Sequence, residues 1–192
     1  MKIYCVHLIV LFLISNSGAQ TINATNNDST VTEPGIYPNI YWGMIQLIPS
    51  PQWHAVKSGG LKFSMRWQVT PILYSFGLNR RVNSWRFLIA EPLARYNGSV
   101  EFYAAPEYVT FDSENGKHWL LRTGLRTYFP LYEYGEYLAA SLGTSYYQFN
   151  GTDGISYEAG IYFFFGILGL QTTYNPAFDR ANWSFAINIR YF

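Results

Sequence analysis

The chain has 192 residues and a net charge of +1; aromatics make up 19% of it and charged residues only 13%. Soluble domains average about 25% charged residues, and nucleic-acid binders gather a basic surplus on one face, so this composition argues against a nucleic-acid partner. The length suits one domain that either hides a large apolar core or shows apolar surface to lipid.

The first residues read as a secretory signal over 1–19. Lys2 supplies the positive end, Leu8–Ile14 the apolar core, and Ser17-Gly-Ala19 the small residues a signal peptidase reads. The apolar run falls short of the roughly 20 residues a membrane-spanning helix needs. Cys5 is the sole cysteine and precedes that core, so it does not suit lipid attachment. A mature chain starting near Gln20 would carry no thiol, which sets aside disulfides, Cys-ligated zinc and thiol catalysis.

Residues 20–59 read as a leader with an added edge segment. Asn, Thr, Ser and Asp dominate 20–34 without periodicity. Ile40, Trp42, Met44 and Ile48 suit a strand that Pro38, Pro49 and Pro51 would confine to a short piece, a periplasmic segment that packs on the barrel mouth or adds an edge strand.

From residue 60 onward the two-residue alternation of strands takes over. Leu61, Phe63, Met65, Trp67 and Val69 oppose Lys62, Ser64, Arg66, Gln68 and Thr70. The parity flips at Pro71, as at a β-bulge. A second strand is expected from Trp85 to Tyr96, with its register blurred at Glu91-Pro92, and Asn97-Gly98 suits a two-residue hairpin turn. Four further strands follow, near 100–105, 119–126, 138–146 and 155–163, then one at 168–174 and the last at 183–192. That makes eight. The turns at 97–98, 130–136 and 166–169 would share one end, and the polar loops at 79–83, 112–117, 150–154 and 175–182 the other.

In the last strand, Trp183, Phe185, Ile187, Ile189 and Tyr191 alternate with Ser184, Ala186, Asn188 and Arg190, and the chain stops on Phe192. This pattern over 61–192 resembles small eight-stranded bacterial outer-membrane β-barrel proteins. One departure is that Phe192 falls on the polar face of its strand, whereas the family's terminal Phe shares the apolar face. The resemblance implies an all-β, eight-stranded antiparallel up-and-down transmembrane β-barrel over 60–192. It places the protein in the bacterial outer membrane with both termini periplasmic. Its partners would be outer-membrane lipid and the barrel-insertion machinery. In such a setting the Asn-x-Ser/Thr matches at Asn23, Asn27, Asn97, Asn150 and Asn182 are chance.

With apolar side chains outward, Lys62, Arg66, Glu101, Arg122, Arg126, Glu158 and Arg190 face the lumen, where unpaired charge is costly. Trp85, Trp119, Tyr157, Tyr174 and Trp183 would form an aromatic girdle at the external interface, and Tyr191 belongs to the opposite one. The function this implies is structural or interaction-type, with a plugged polar lumen and no cofactor. A barrel enzyme acting on envelope lipid is the second possibility, with His118 as its catalytic candidate beside Asp112, Ser113 and Glu114. A secreted lipocalin-like barrel binding an apolar ligand is the third. His54 and His118, without a carboxylate cluster, give no metal site.

Overall fold

Long hairpins form where alternation is cleanest. β5 (Ser99–Val109), β6 (Trp119–Tyr132), β7 (Leu138–Phe149) and β8 (Thr152–Phe163) make a continuous antiparallel meander. Along β8, Ser156, Glu158, Gly160 and Tyr162 are buried while Ile155, Tyr157 and Ile161 are exposed. β9 (Leu168–Tyr174) and β10 (Trp183–Ile189) continue the meander in the same way. The computed structural model describes residues 44, 46–77, 84–88, 92–110, 118–135, 137–164, 166, 168–178 and 180–189.

The ring closes through the first strands. β1 (Ser50–Ala55) pairs with β10 on one side and with β2 (Leu61–Arg66) on the other. β2 meets β5 through Ser64–Val109, Met65–Tyr108 and Arg66–Glu107. β3 (Val69–Ser75) continues the line of β2 along β5, with the register shifting between Val69 and Ile72. This bulge at Pro71 turns Tyr74 outward and Leu73 inward, so the parity flip has a backbone cause. Counting β2 and β3 as one stave, the result is a closed eight-stranded antiparallel β-barrel.

Of the expected second strand, only its first three residues are strand among the described residues. The chain instead makes a short β4 (Trp85–Phe87) along the outer side of β3, and then a helix, α1 (Pro92–Tyr96). Leu88 takes a positive φ of 59° and ends the extended run. Pro92 is tolerated in a helix's first turn, where its missing N–H removes no internal bond. Asn97-Gly98 is therefore no two-residue hairpin: β3 pairs directly with β5, and Asn97 Nδ2 donates to Gly77 O at 3.0 Å. The eighth stave comes from β1, whose prolines read as breakers in the sequence. Pro51 occupies a ladder position opposite Met65.

The ends also regroup. Phe76 N and Gly77 N both donate to Gly98 O, and Ser75 N donates to Ser84 O. Hence the chain flanking 78–83 lies at the end of the short turns, not with the loops. The Val56–Gly60 turn sits at the loop end, where Lys57 N donates to Arg180 O at 2.9 Å.

The interior is stacked in three layers. At the loop end, Val109, Leu120, Tyr147, Phe149, Phe178 and Ala181 form an apolar cluster. At the turn end, Tyr96 of α1 packs with Tyr128, Ala139 and Tyr162. Between them lies a charged layer.

Candidate functional site

The charged layer is built by inward positions of β2, β5, β6 and β8, with one contribution from α1. Glu158 on β8 is its hub. Arg126 Nη2 lies 2.6 Å from Glu158 Oε2, and Arg66 Nη2 lies 2.9 Å from Oε1. Tyr103 OH donates to Oε1 at 2.6 Å, and Gln171 Nε2 donates to Oε2 at 3.0 Å. Glu107 takes both Arg66 Nε and Arg122 Nε at 2.9 Å. Glu101 takes Arg126 Nη1 at 3.1 Å and Arg95 Nε at 3.2 Å, and accepts from Gln68, Thr70 and Tyr128 as well.

Among the described residues four buried arginines thus face three buried glutamates, a formal surplus of one positive charge within this layer. Neutral groups spread that surplus. The Arg126 guanidinium stacks 4.5 Å over the Tyr103 ring, and Arg122 Nη1 donates to Ser156 Oγ at 2.6 Å and Asn175 Oδ1 at 3.2 Å. In a low-dielectric interior such charges persist only when paired and hydrogen-bonded.

Of the lumen residues expected from sequence, Arg66, Glu101, Arg122, Arg126 and Glu158 come together in this layer. Lys62 shares their face of β2 but lies exposed near the rim, opposite His54. Arg190 lies outside the described residues. Strand parity puts Gln68 on the face of Arg66 and Tyr103 on that of Glu101, whereas Glu107, Arg95 and Tyr128 are not anticipated. Glu107 follows Pro106, outside the alternation at 100–105, and Arg95 falls within the expected second strand. Parity extended along β5 from Glu101 reaches Glu107, and that signal was available.

The outer wall is the reverse. Leu125, Leu142, Ile161, Leu170 and Phe185 are all exposed at mid-wall. Small side chains at Ala140, Ala159 and Thr172 leave an open hollow of about 810 Å³ among them, rimmed by Phe129, Leu142 and Phe185. Trp119, Tyr157, Tyr174 and Trp183 are exposed toward the loop end, with Tyr174 and Trp183 at 4.7 Å. Trp85 lies at the other end, 4.9 Å from Tyr74, because β4 runs beside β3 near the short turns. Tyr191 lies outside the described residues.

His118 is half-buried with Nδ1 3.1 Å from Val109 O and its ring 5.3 Å from Tyr108. Its expected partners Asp112, Ser113 and Glu114 lie outside the described residues. His54 is buried in the lumen, its Nε2 3.3 Å from Gln52 Nε2. Among the described residues no group of three or more His, Cys, Asp or Glu side chains is placed to hold a metal ion.

The charges of this layer point at each other, each arginine reaching at least one glutamate within the barrel. Comparison with known proteins adds no relative, since no family model, no curated protein and no solved structure matches the chain.

Proposed function

We propose that the protein is a small bacterial outer-membrane β-barrel of structural or interaction type, with a plugged polar lumen. The observation that carries this reading is the inverted polarity of the wall. Arginines and glutamates are enclosed together, and leucine, isoleucine and aromatic side chains cover the outside. A water-soluble barrel such as a lipocalin needs the opposite arrangement, whereas a membrane barrel faces hydrocarbon with its apolar set. Exposed apolar patches on soluble monomers rarely exceed a few hundred Å², and here they encircle the barrel.

Under this reading residues 1–19 are a signal peptide. Outer-membrane lipid and the insertion machinery are the partners, and the termini are periplasmic. The short turns at Gly98, Gly135 and Gly166 then face the periplasm, and the loops at 150–154 and 175–182 face outward. The row of Trp119, Tyr157, Tyr174 and Trp183 would lie in the headgroup zone, where rings with a polar tip are favoured.

Membrane fractionation tests the proposal. The full chain should sediment with the outer membrane, resist carbonate extraction, and enter solution only with detergent. Recovery as a monomer in detergent-free buffer would overturn it.

A further inference from the structure

Neighbouring outward positions on β7, β8 and β9 carry small side chains. Ala159 on β8 stands opposite Leu142 on one side and Thr172 on the other. Ala140 on β7 stands opposite Phe129 and Ile161. Parity turns them to the outer wall, where Leu142, Ile161 and Leu170 beside them are exposed. The open hollow of about 810 Å³ that they leave is almost wholly apolar, with Phe129 and Leu131 toward the turn end and Trp53 and Phe185 along its flank. That volume lies within the range of small-molecule sites, about 300–1,000 Å³. A methylene takes about as much room as a water molecule in the liquid, roughly 30 Å³, so the hollow has space for about two dozen.

Its place in the wall selects what fills it. Leu131 leads directly into Tyr132, and Tyr132 and Tyr137 are exposed at the β6–β7 turn with their rings 6.1 Å apart. Phenol rings settle at the level of lipid headgroups. The hollow therefore begins just on the hydrocarbon side of that level and runs toward mid-wall at Ala159 and Thr172. Glu133, between the two tyrosines in sequence, is exposed. The connections 131–138 and 163–168, which join the strands of the hollow, contain Glu133 and Glu136 and no Lys or Arg. An anionic head is repelled there and an ammonium group is attracted.

We propose that the hollow holds the acyl chains of a zwitterionic, amine-bearing glycerophospholipid from the leaflet that meets the short turns, with its head beside Tyr132, Glu133 and Tyr137. A second copy of the chain fits less well. Among the described residues fifteen line the hollow, whereas each side of a stable protein interface contributes about 20–30. In a bilayer the wall gains nothing from hydrophobicity itself, because lipid tails are as apolar as leucine. Retention comes instead from dispersion contacts, which a chain seated in the hollow makes at its flanks as well as beneath it. This inference rests on the membrane reading.

Native mass spectrometry tests it on the full chain, refolded into vesicles of equal phosphatidylethanolamine and phosphatidylglycerol and released into mild detergent. Wild type should carry one phosphatidylethanolamine molecule per barrel. Ala159→Leu and Ala140→Leu fill the hollow from outward positions, and each should lose that lipid. Leu121→Ala, exposed on the wall outside the hollow, should keep it. Glu133→Lys should shift the preference toward phosphatidylglycerol by up to about fivefold, the reach of an exposed charge pair. Heat-dependent gel mobility identifies the folded variants. A lipid retained undiminished by folded Ala159→Leu or Ala140→Leu overturns the hollow as its site. A wild type that carries no lipid, or a second barrel in its place, overturns the proposal outright. Equal retention of both lipids by wild type and Glu133→Lys overturns the head assignment. Detergent-free recovery of the wild type as a monomer overturns the membrane reading itself.

Discussion

Arg126 and Glu158 meet end to end in the middle of the lumen, Nη2 to Oε2 at 2.6 Å, while the second Glu158 oxygen holds Arg66 and Tyr103. Glu158→Gln preserves shape but leaves two enclosed guanidinium groups short of a counter-charge. Breaking a buried pair from one side costs about 3–5 kcal/mol. Urea unfolding of the detergent-folded protein should show a loss of that size. Tyr103→Phe, which removes a single bond to the same carboxylate, should cost about 1.5–3 kcal/mol.

Two glycines separate close packing from backbone strain. Gly166 has φ +74°, and a Cβ there would run into the Tyr96 ring. Gly151 has φ +84° with open space around it. Gly151→Ala should cost only the left-handed backbone penalty, about 1–2 kcal/mol. Gly166→Ala carries that penalty and also unseats α1, so its heat-induced unfolding midpoint should fall clearly further.

A charge placed on the wall reports what surrounds it. Leu142 is exposed at mid-wall, 59% accessible, so in water Leu142→Arg would cost almost nothing. In a bilayer the same change at mid-depth costs about 2–4 kcal/mol. Unfolding of wild type and variant refolded into lipid vesicles distinguishes the two outcomes.

The stacked lumen predicts electrical silence. Tyr96, Tyr128 and Tyr162 pack together at one end, with Tyr96 5.1 Å from Tyr128 and 5.2 Å from Tyr162. At the other end Phe178 packs against Tyr147 and Phe149. Planar-bilayer recordings of the wild type should show no steady conductance. Phe178→Ala should stay silent too, because the ion-paired layer lies beneath it; a persistent open channel in either would show that the layer does not fill the barrel.

Strand parity made much of this legible beforehand, and its failures have local causes. Along β6, Arg122 and Arg126 stand four residues apart on a regular strand, so their sharing one face needs no tertiary information. β1 was hidden because Pro49 and Pro51 read as breakers, while its neighbours β2 and β10, distant in sequence, supply the pairing that makes it a strand. α1 was hidden because five residues cannot show helical periodicity, and its stability comes from burying Ala94, Arg95 and Tyr96 inside the barrel. Glu107 becomes legible only when parity is followed to the end of β5. Glu101 and Glu107 lie on the same face of β5, and the intervening Pro106 obscured that.

The β2–β5 ladder and the ionic core share their residues. Arg66 and Glu107 face each other across the short β2–β5 junction, with Nε and Oε1 2.9 Å apart. An open sheet would therefore present Arg66 on one margin and Glu107 on the other, both still hydrated. Curling the sheet into a cylinder brings these opposite charges to a common lip, so each draws the other margin inward. Water must leave the cylinder as they meet, which ties the pairing of β2 with β5 to the drying of its centre.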